Sequence, residues 1–231
     1  MSITFVRKDK IDSFVSTAIE IANHFSVKRE SCLSLIKVIR TKWSIDNIPK
    51  LLMLFKTKFS LFEDGQTLID ILEKAVSECN DDYDLNKLRG TLTEGLLLGR
   101  YSQSIVNAET FGWGAQVVIM DKDGYPNELK YHCPSHNDEN NPECFSRTTV
   151  DLGFWNGEYG EFFECKVRPD RIKCPEMSYM KYLNRELTQS NIKHNLYFVT
   201  TDTLDSMRMK VKKDHPNENF FKIISLQETS A

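Results

Sequence analysis

The chain has 231 residues, 40% of them hydrophobic and 27% charged, with a formal net charge of −3. That is the profile of an ordinary soluble globular protein, and the slight negative balance argues against one that coats nucleic acid indiscriminately. No apolar run approaches the ~20 residues that span a bilayer, and the opening "MSITFVRKDKIDSF" lacks the apolar core of a signal peptide, so a cytoplasmic protein with no membrane partner is expected. Six cysteines, at 32, 79, 133, 144, 165 and 174, are scattered without a tight paired spacing. They read as free thiols of a reducing compartment.

From residue 10 to about 80 the periodicity is helical. Ile11, Phe14, Val15, Ala18, Ile21, Ala22 and Phe25 recur at the three-and-four spacing of one helix face. "SCLSLIKVIRTKW", "IPKLLMLFKTKF" and "GQTLIDILEKAVSEC" continue the pattern, and "NDDYD" at 80–84 supplies N-cap residues for a further helix. That helix, about 84–104, places Leu85, Leu88, Leu92, Leu96 and Gly99 along one face. Gly90, Gly95 and Gly99 each cost helix propensity of roughly 1 kcal/mol relative to Ala, a cost that close approach to a sheet would offset. Residues 1–80 are therefore expected to form a helical region for association or docking, and 81–231 an α/β core.

Strand texture begins at "AQVVIM", 115–120, followed by a turn at "DKDGYP" and a polar loop at 131–147. "TTVDLGFW" and "GEFFECKV" are strands joined through Asn156-Gly157, a strong hairpin signal. A helix over "CPEMSYMKYLNRELTQSN", a strand at "NLYFVTT", a helix over "TLDSMRMKVKK" and a strand at "FFKIISL" complete the chain. No internal repeat appears. Charge is segregated: residues 134–164 carry seven acidic side chains and one basic, while 166–193 carry seven basic and three acidic. An acidic pocket beside a basic segment suits a metal site next to a phosphate-tracking surface, and Arg168, Arg171 and Lys173 are placed for phosphate contacts.

Side chains alternate along a strand, so Glu164 and Lys166 share a face while Phe163, Cys165 and Val167 point into a core. A two-residue turn would set Asp151 opposite Phe162 and diagonal to Glu164; a four-residue loop would set it directly opposite Glu164. A three-residue loop with a bulge would break the pairing. Two carboxylates on one face repel unless a cation joins them, and Mg²⁺ or Mn²⁺ suits oxygen ligands. Asp151 and Glu164 are thus candidate metal ligands, with the backbone carbonyl of Cys165 a further one. Lys166 stands where it can stabilise hydroxide or charge developing on phosphate. The competing reading is a solvated ion-pair cluster.

Asp151, twelve intervening residues and then Glu164-Cys165-Lys166 resembles the core motif of the PD-(D/E)xK nuclease superfamily, with Val150 standing where the motif name has proline. The resemblance covers about 84–226. It implies a restriction-endonuclease-like fold, a central mixed sheet flanked by helices. It also implies a metal-dependent endonuclease acting on DNA, with RNA as the alternative substrate. Glu94 in "GTLTEGLLLG" matches the helix glutamate that assists the metal, directly or through water. Lys181, Arg185 and Gln189 lie on the helix that follows the motif, where the resemblance implies contacts with the substrate backbone. The N-terminal helices would mediate homo-oligomerisation or partner binding, and the architecture fits the nuclease subunit of a restriction or anti-phage defence system. A noncatalytic nucleic-acid-binding or assembly subunit with the same fold is the rival from another class. Cys133, His136 and Cys144, with His132 or Cys174, are weaker candidates for zinc. Trp113, Trp155 and Tyr159 are candidates for base stacking or for packing at the sheet ends.

Overall fold

The structure, a computed structural model, describes residues 1–9, 11, 14–132 and 146–228. It begins with a strand, β1 (Ser2–Arg7), followed by four helices: α1 (Phe14–Val27), α2 (Cys32–Ile39), α3 (Ile48–Phe59) and α4 (Gly65–Ser77). The long α5 (Asp82–Arg100) starts at Asp81, whose carboxylate accepts from Asp84 N at 2.9 Å, and the short α6 (Ser102–Val106) follows. Then come β2 (Thr110–Met120), β3 (Pro126–Glu128), β4 (Tyr131–His132), β5 (Ser146–Arg147), β6 (Val150–Trp155) and β7 (Tyr159–Lys166). The chain ends with α7 (Cys174–Gln189), β8 (Lys193–Thr200), α8 (Leu204–Asp214) and β9 (Lys222–Ser225). The zinc candidates Cys133, His136 and Cys144 lie outside the described residues.

The main sheet runs β1-β2-β6-β7-β8-β9, with β3 paired to β2. Pairing is antiparallel from β1 to β7 and parallel from β7 through β9. It is a mixed central sheet flanked by helices, an α/β architecture. The parallel pairs need crossovers, and α7 and α8 supply them.

Residues 1–80 are not a separate helical region. Ser2–Arg7 is an edge strand of the main sheet, paired with Arg7 opposite Ala115 and Ser2 opposite Met120. The helices also share one apolar cluster with the sheet. Ile21, Leu35, Phe55, Leu72, Leu88 and Leu92 pack together with Leu152, Phe154, Phe163 and Val199. The apolar faces that suggested association are largely buried within the chain, though Met53 and Leu61 remain exposed. A second cluster covers the opposite face, joining Ile3, Val117, Val150, Phe162 and Phe198 to Met180 and Leu183 of α7.

The glycines of α5 meet a helix, not a sheet. A Cβ on Gly95 would lie 2.9 Å from both Ala18 O and Ile21 Cγ2, and one on Gly99 would lie 2.9 Å from Ala22 O. Their missing side chains let α5 approach the α1 backbone. Gly90 differs, since among the described residues a Cβ there would meet nothing within 4 Å.

Candidate functional site

The hairpin loop has four residues. Trp155 pairs with Gly160 and Leu152 with Phe163, so continuing the register brings Asp151 opposite Glu164. Asn156 sets the loop, its Oδ1 accepting from Glu158 N at 3.1 Å and Tyr159 N at 2.8 Å, a side-chain mimic of a backbone turn. Glu164 and Lys166 share the α7 side of β7, while Phe163 and Cys165 are buried among the helices on the other.

Alternation along β6 fails at Asp151. Val150 packs on the α7 side, yet Leu152 and Phe154 pack on the α1–α5 side. The neighbouring strand departs at the same level: Gly114 has φ +54, a left-handed backbone that favours glycine. Its carbonyl accepts from both Lys8 N and Asp9 N at 3.2 Å. A Cβ on Gly114 would lie 2.4 Å from Asp9 Oδ2. At this break Asp151 turns toward β7, and its Oδ2 accepts from Cys165 N at 2.6 Å. It thereby feels charges from both faces: Glu94 on α5, and Glu164, Lys166 and Arg147 on the α7 side. The expected single face thus holds for Glu164 and Lys166, whereas Asp151 lies at the join.

Two cations hold the acidic side chains together. Lys166 Nζ is 2.7 Å from Glu164 Oε1 and 3.5 Å from Glu176 Oε1. Arg147 donates through Nη2 to Glu164 Oε1, lies 3.8 Å from Asp151 Oδ1, and reaches Glu176 Oε1 at 3.5 Å through Nη1. Glu176 is fixed because its other oxygen accepts from Lys173 N at 2.9 Å, at the start of α7. Glu164 is fully buried, and among the described residues its Oε2 has no hydrogen-bond partner. Glu94 is half-buried, and its Oε2 accepts from Trp113 Nε1 at 2.7 Å.

The electrostatics divide these carboxyls. Burial pushes Glu94 up, to about 8, and the charge of Asp151 adds to it. Burial and then Glu164 raise Asp151 as well. Burial would also raise Glu164, but Arg147 and Lys166 outweigh it and hold the carboxyl below its ordinary value. Burial opposes the charge of Lys166, yet Glu164 and Asp151 win and raise its pKa. The two carboxylates therefore favour the charged form of Lys166. Burial also raises Asp9, against the lowering charges of Arg7 and Arg147.

The expected substrate-binding residues are all exposed: Arg168, Arg171, Lys173, Lys181, Arg185 and Gln189. Three of the cations already face carboxylates: Arg168 with Asp170 at 3.1 Å, Lys181 with Glu218 at 2.6 Å and Arg185 with Glu186 at 2.8 Å. Trp155 is buried in the α7-side cluster, which favours packing over stacking. Sequence reasoning missed Arg147 and Glu176. The signals were there: Arg147 is the lone basic residue in an acidic stretch, and Glu176 follows Pro175 at a helix start.

Comparison with family models and with curated proteins gives no match. Among solved structures the chain is similar to the protein VC1899 from Vibrio cholerae, with a TM-score of 0.41 and 11% identity. The likeness covers 98% of this chain and 56% of VC1899, and is too distant to bear on fold or activity. No helix among the described residues is long and apolar enough to cross a membrane.

Proposed function

We propose that the chain is a metal-dependent nuclease built like the PD-(D/E)xK enzymes and hydrolysing phosphodiester bonds of DNA, with RNA the alternative substrate. The observation that carries this reading is the meeting of Asp151, Glu164 and Lys166 where β6 and β7 adjoin, with Glu94 close by on α5. The order of elements supports it: α5, three antiparallel strands, the α7 crossover and a parallel strand.

The donors fit a hard divalent cation. Asp151 and Glu164 offer carboxylate oxygens, and the buried Glu164 Oε2, unpartnered among the described residues, is the kind of atom a cation satisfies. These two side chains would hold Mg²⁺ or Mn²⁺, with the Cys165 carbonyl a further donor. Among the described residues no group of three or more His, Cys, Asp or Glu is gathered to hold a metal, and Glu94 is turned to Trp113. Its contribution is therefore indirect in this arrangement. An ion held there would supply Lewis-acid polarisation of phosphate oxygens and would lower the pKa of a water. The protein's own part is electrostatic: Lys166, held by Glu164, keeps a positive charge where negative charge grows on the phosphate.

A digestion panel tests the reading: plasmid, linear duplex, single-stranded DNA and RNA, each with Mg²⁺, Mn²⁺ or EDTA. Cleavage should need the metal and disappear in Asp151→Ala; cleavage unchanged in chelator would remove the mechanism. A role in restriction or anti-phage defence belongs to the same proposal, and phage plating on cells carrying wild type or Asp151→Ala tests it. Association through the residues left exposed on the N-terminal helices is tested by light scattering. One observation favours the noncatalytic alternative. Arg147 and Lys166 already neutralise Glu164, as a purely structural ion-pair cluster would.

A further inference from the structure

The face of α5 that carries Glu94 continues outward as a cleft. Lys87, Gly90 and Glu94 stand at i, i+3 and i+7, one stripe of the helix. Arg7, Asp9 and Trp113, from β1, the residues after it and β2, close the other wall. The open cleft offers about 420 Å³, within the ~300–1,000 Å³ of clefts that take compact ligands and far too small for a double helix.

Three features suit this cleft to a phosphodiester strand. The first is the placing of charge: Lys87 and Arg7 are exposed, while the acidic side chains are Asp9, which feels the charge of Arg7, and Glu94, near Asp151 and about 10 Å along the helix from Lys87. The second is preorganisation. Arg7 Nη1 donates to Trp113 O at 3.1 Å, and its guanidinium carbon stands 4.7 Å from the Trp113 ring centroid, so the cation is held before any ligand arrives. The third is the bare backbone at Gly90, where among the described residues a Cβ would meet nothing within 4 Å. A chain of phosphates can pass over that floor.

We propose that this cleft is the entry groove for a single nucleic-acid strand, with Arg7 and Lys87 on its phosphates and the strand running on toward Asp151. The inner end of this path rests on the nuclease reading; the groove itself does not. It also moves the substrate away from the outer face of α7 that carries Lys181 and Arg185.

The test is fluorescence anisotropy of the full chain in EDTA with short labelled oligonucleotides: single-stranded DNA, single-stranded RNA, and the duplex of the same sequence. Single strands should bind about tenfold or more tightly than the duplex, and the DNA and RNA arms identify the sugar. Gly90→Phe, which fills the cleft, and Lys87→Glu should each weaken binding by about tenfold, with Lys87→Glu lowering the salt slope by about 1. Lys58→Glu on α3 makes the same charge change elsewhere and should shift affinity less than about twofold. Lys87 is exposed, so its variant decides the matter even if Gly90→Phe fails to fold. Wild-type affinity in Lys87→Glu and Gly90→Phe, with loss in Lys181→Glu or Arg185→Glu, would overturn the groove. Preference for duplex, or no binding to any oligonucleotide, would overturn it too. Groove-dependent binding without cleavage in Mg²⁺ or Mn²⁺ would sink the nuclease reading and leave the groove standing.

Discussion

Replacing Glu94 with glutamine isolates the cost of a carboxyl held in the wrong place for its charge. Burial and the Asp151 carboxylate raise Glu94 from its ordinary 4.5 to about 8. A group whose folded pKa exceeds its unfolded value binds its proton more tightly in the folded chain. Its contribution to stability is therefore fully present below pH 4.5 and is lost as pH rises through about 8. Each pH unit across that window is worth about 1.4 kcal/mol, so the ceiling is on the order of 4–5 kcal/mol. Glu94 is half-buried, and water reaching it screens part of the effect. Glutamine keeps an oxygen for Trp113 Nε1–H and cannot ionise. Urea unfolding in EDTA should give equal stabilities at pH 4.5, with Glu94→Gln ahead by about 2–4 kcal/mol at pH 8.5. Parallel pH profiles for the two proteins would refute the reasoning, because they would mean that Glu94 ionises as freely folded as unfolded.

Lys166→Ala should abolish cleavage and leave oligonucleotide affinity nearly intact, because a charge that acts on the transition state contributes little to ground-state binding; retained turnover would return Lys166 to a structural role. Arg147→Met leaves Glu164 and Asp151 short of a counter-charge, so unfolding in EDTA should show a loss of about 3–5 kcal/mol; a loss under 1 kcal/mol would mean that solvent already screens the cluster. Gly95→Ala should cost about 1–3 kcal/mol where its Cβ meets Ala18 O and Ile21. Gly90→Ala should instead gain up to about 1 kcal/mol, so thermal melts that rank the two alike would refute the α1–α5 contact.

Much of the architecture was legible because helix periodicity, cap residues and turn chemistry are local. The amphipathic segments from Phe14 to Ser77 fold as helices, Asp81 caps α5 from within "NDDYD", and the hairpin forms around Asn156. Strand alternation alone put Glu164 and Lys166 on one side with Phe163 and Cys165 buried on the other. The sequence left the hairpin register open, since loops of two and four residues differ little in local energy. Only the pairing of Trp155 with Gly160 chose between them. It was silent about β1, whose six residues carry too little pattern to announce a strand and gain their hydrogen bonds from β2, far along the chain. It predicted a sheet against the α5 glycines where a helix lies, because a small-residue stripe encodes closeness and not the identity of its neighbour. The neighbours that tune the site come together only once the chain has turned back on itself. Arg147 reaches Glu164 from a short strand, Glu176 reaches Arg147 and Lys166 from a helix start, and the charge of Asp151 acts on Glu94 across the break opposite Gly114. Side-chain type is written in the sequence, but the field that sets its charge is a property of neighbours that only the tertiary fold supplies.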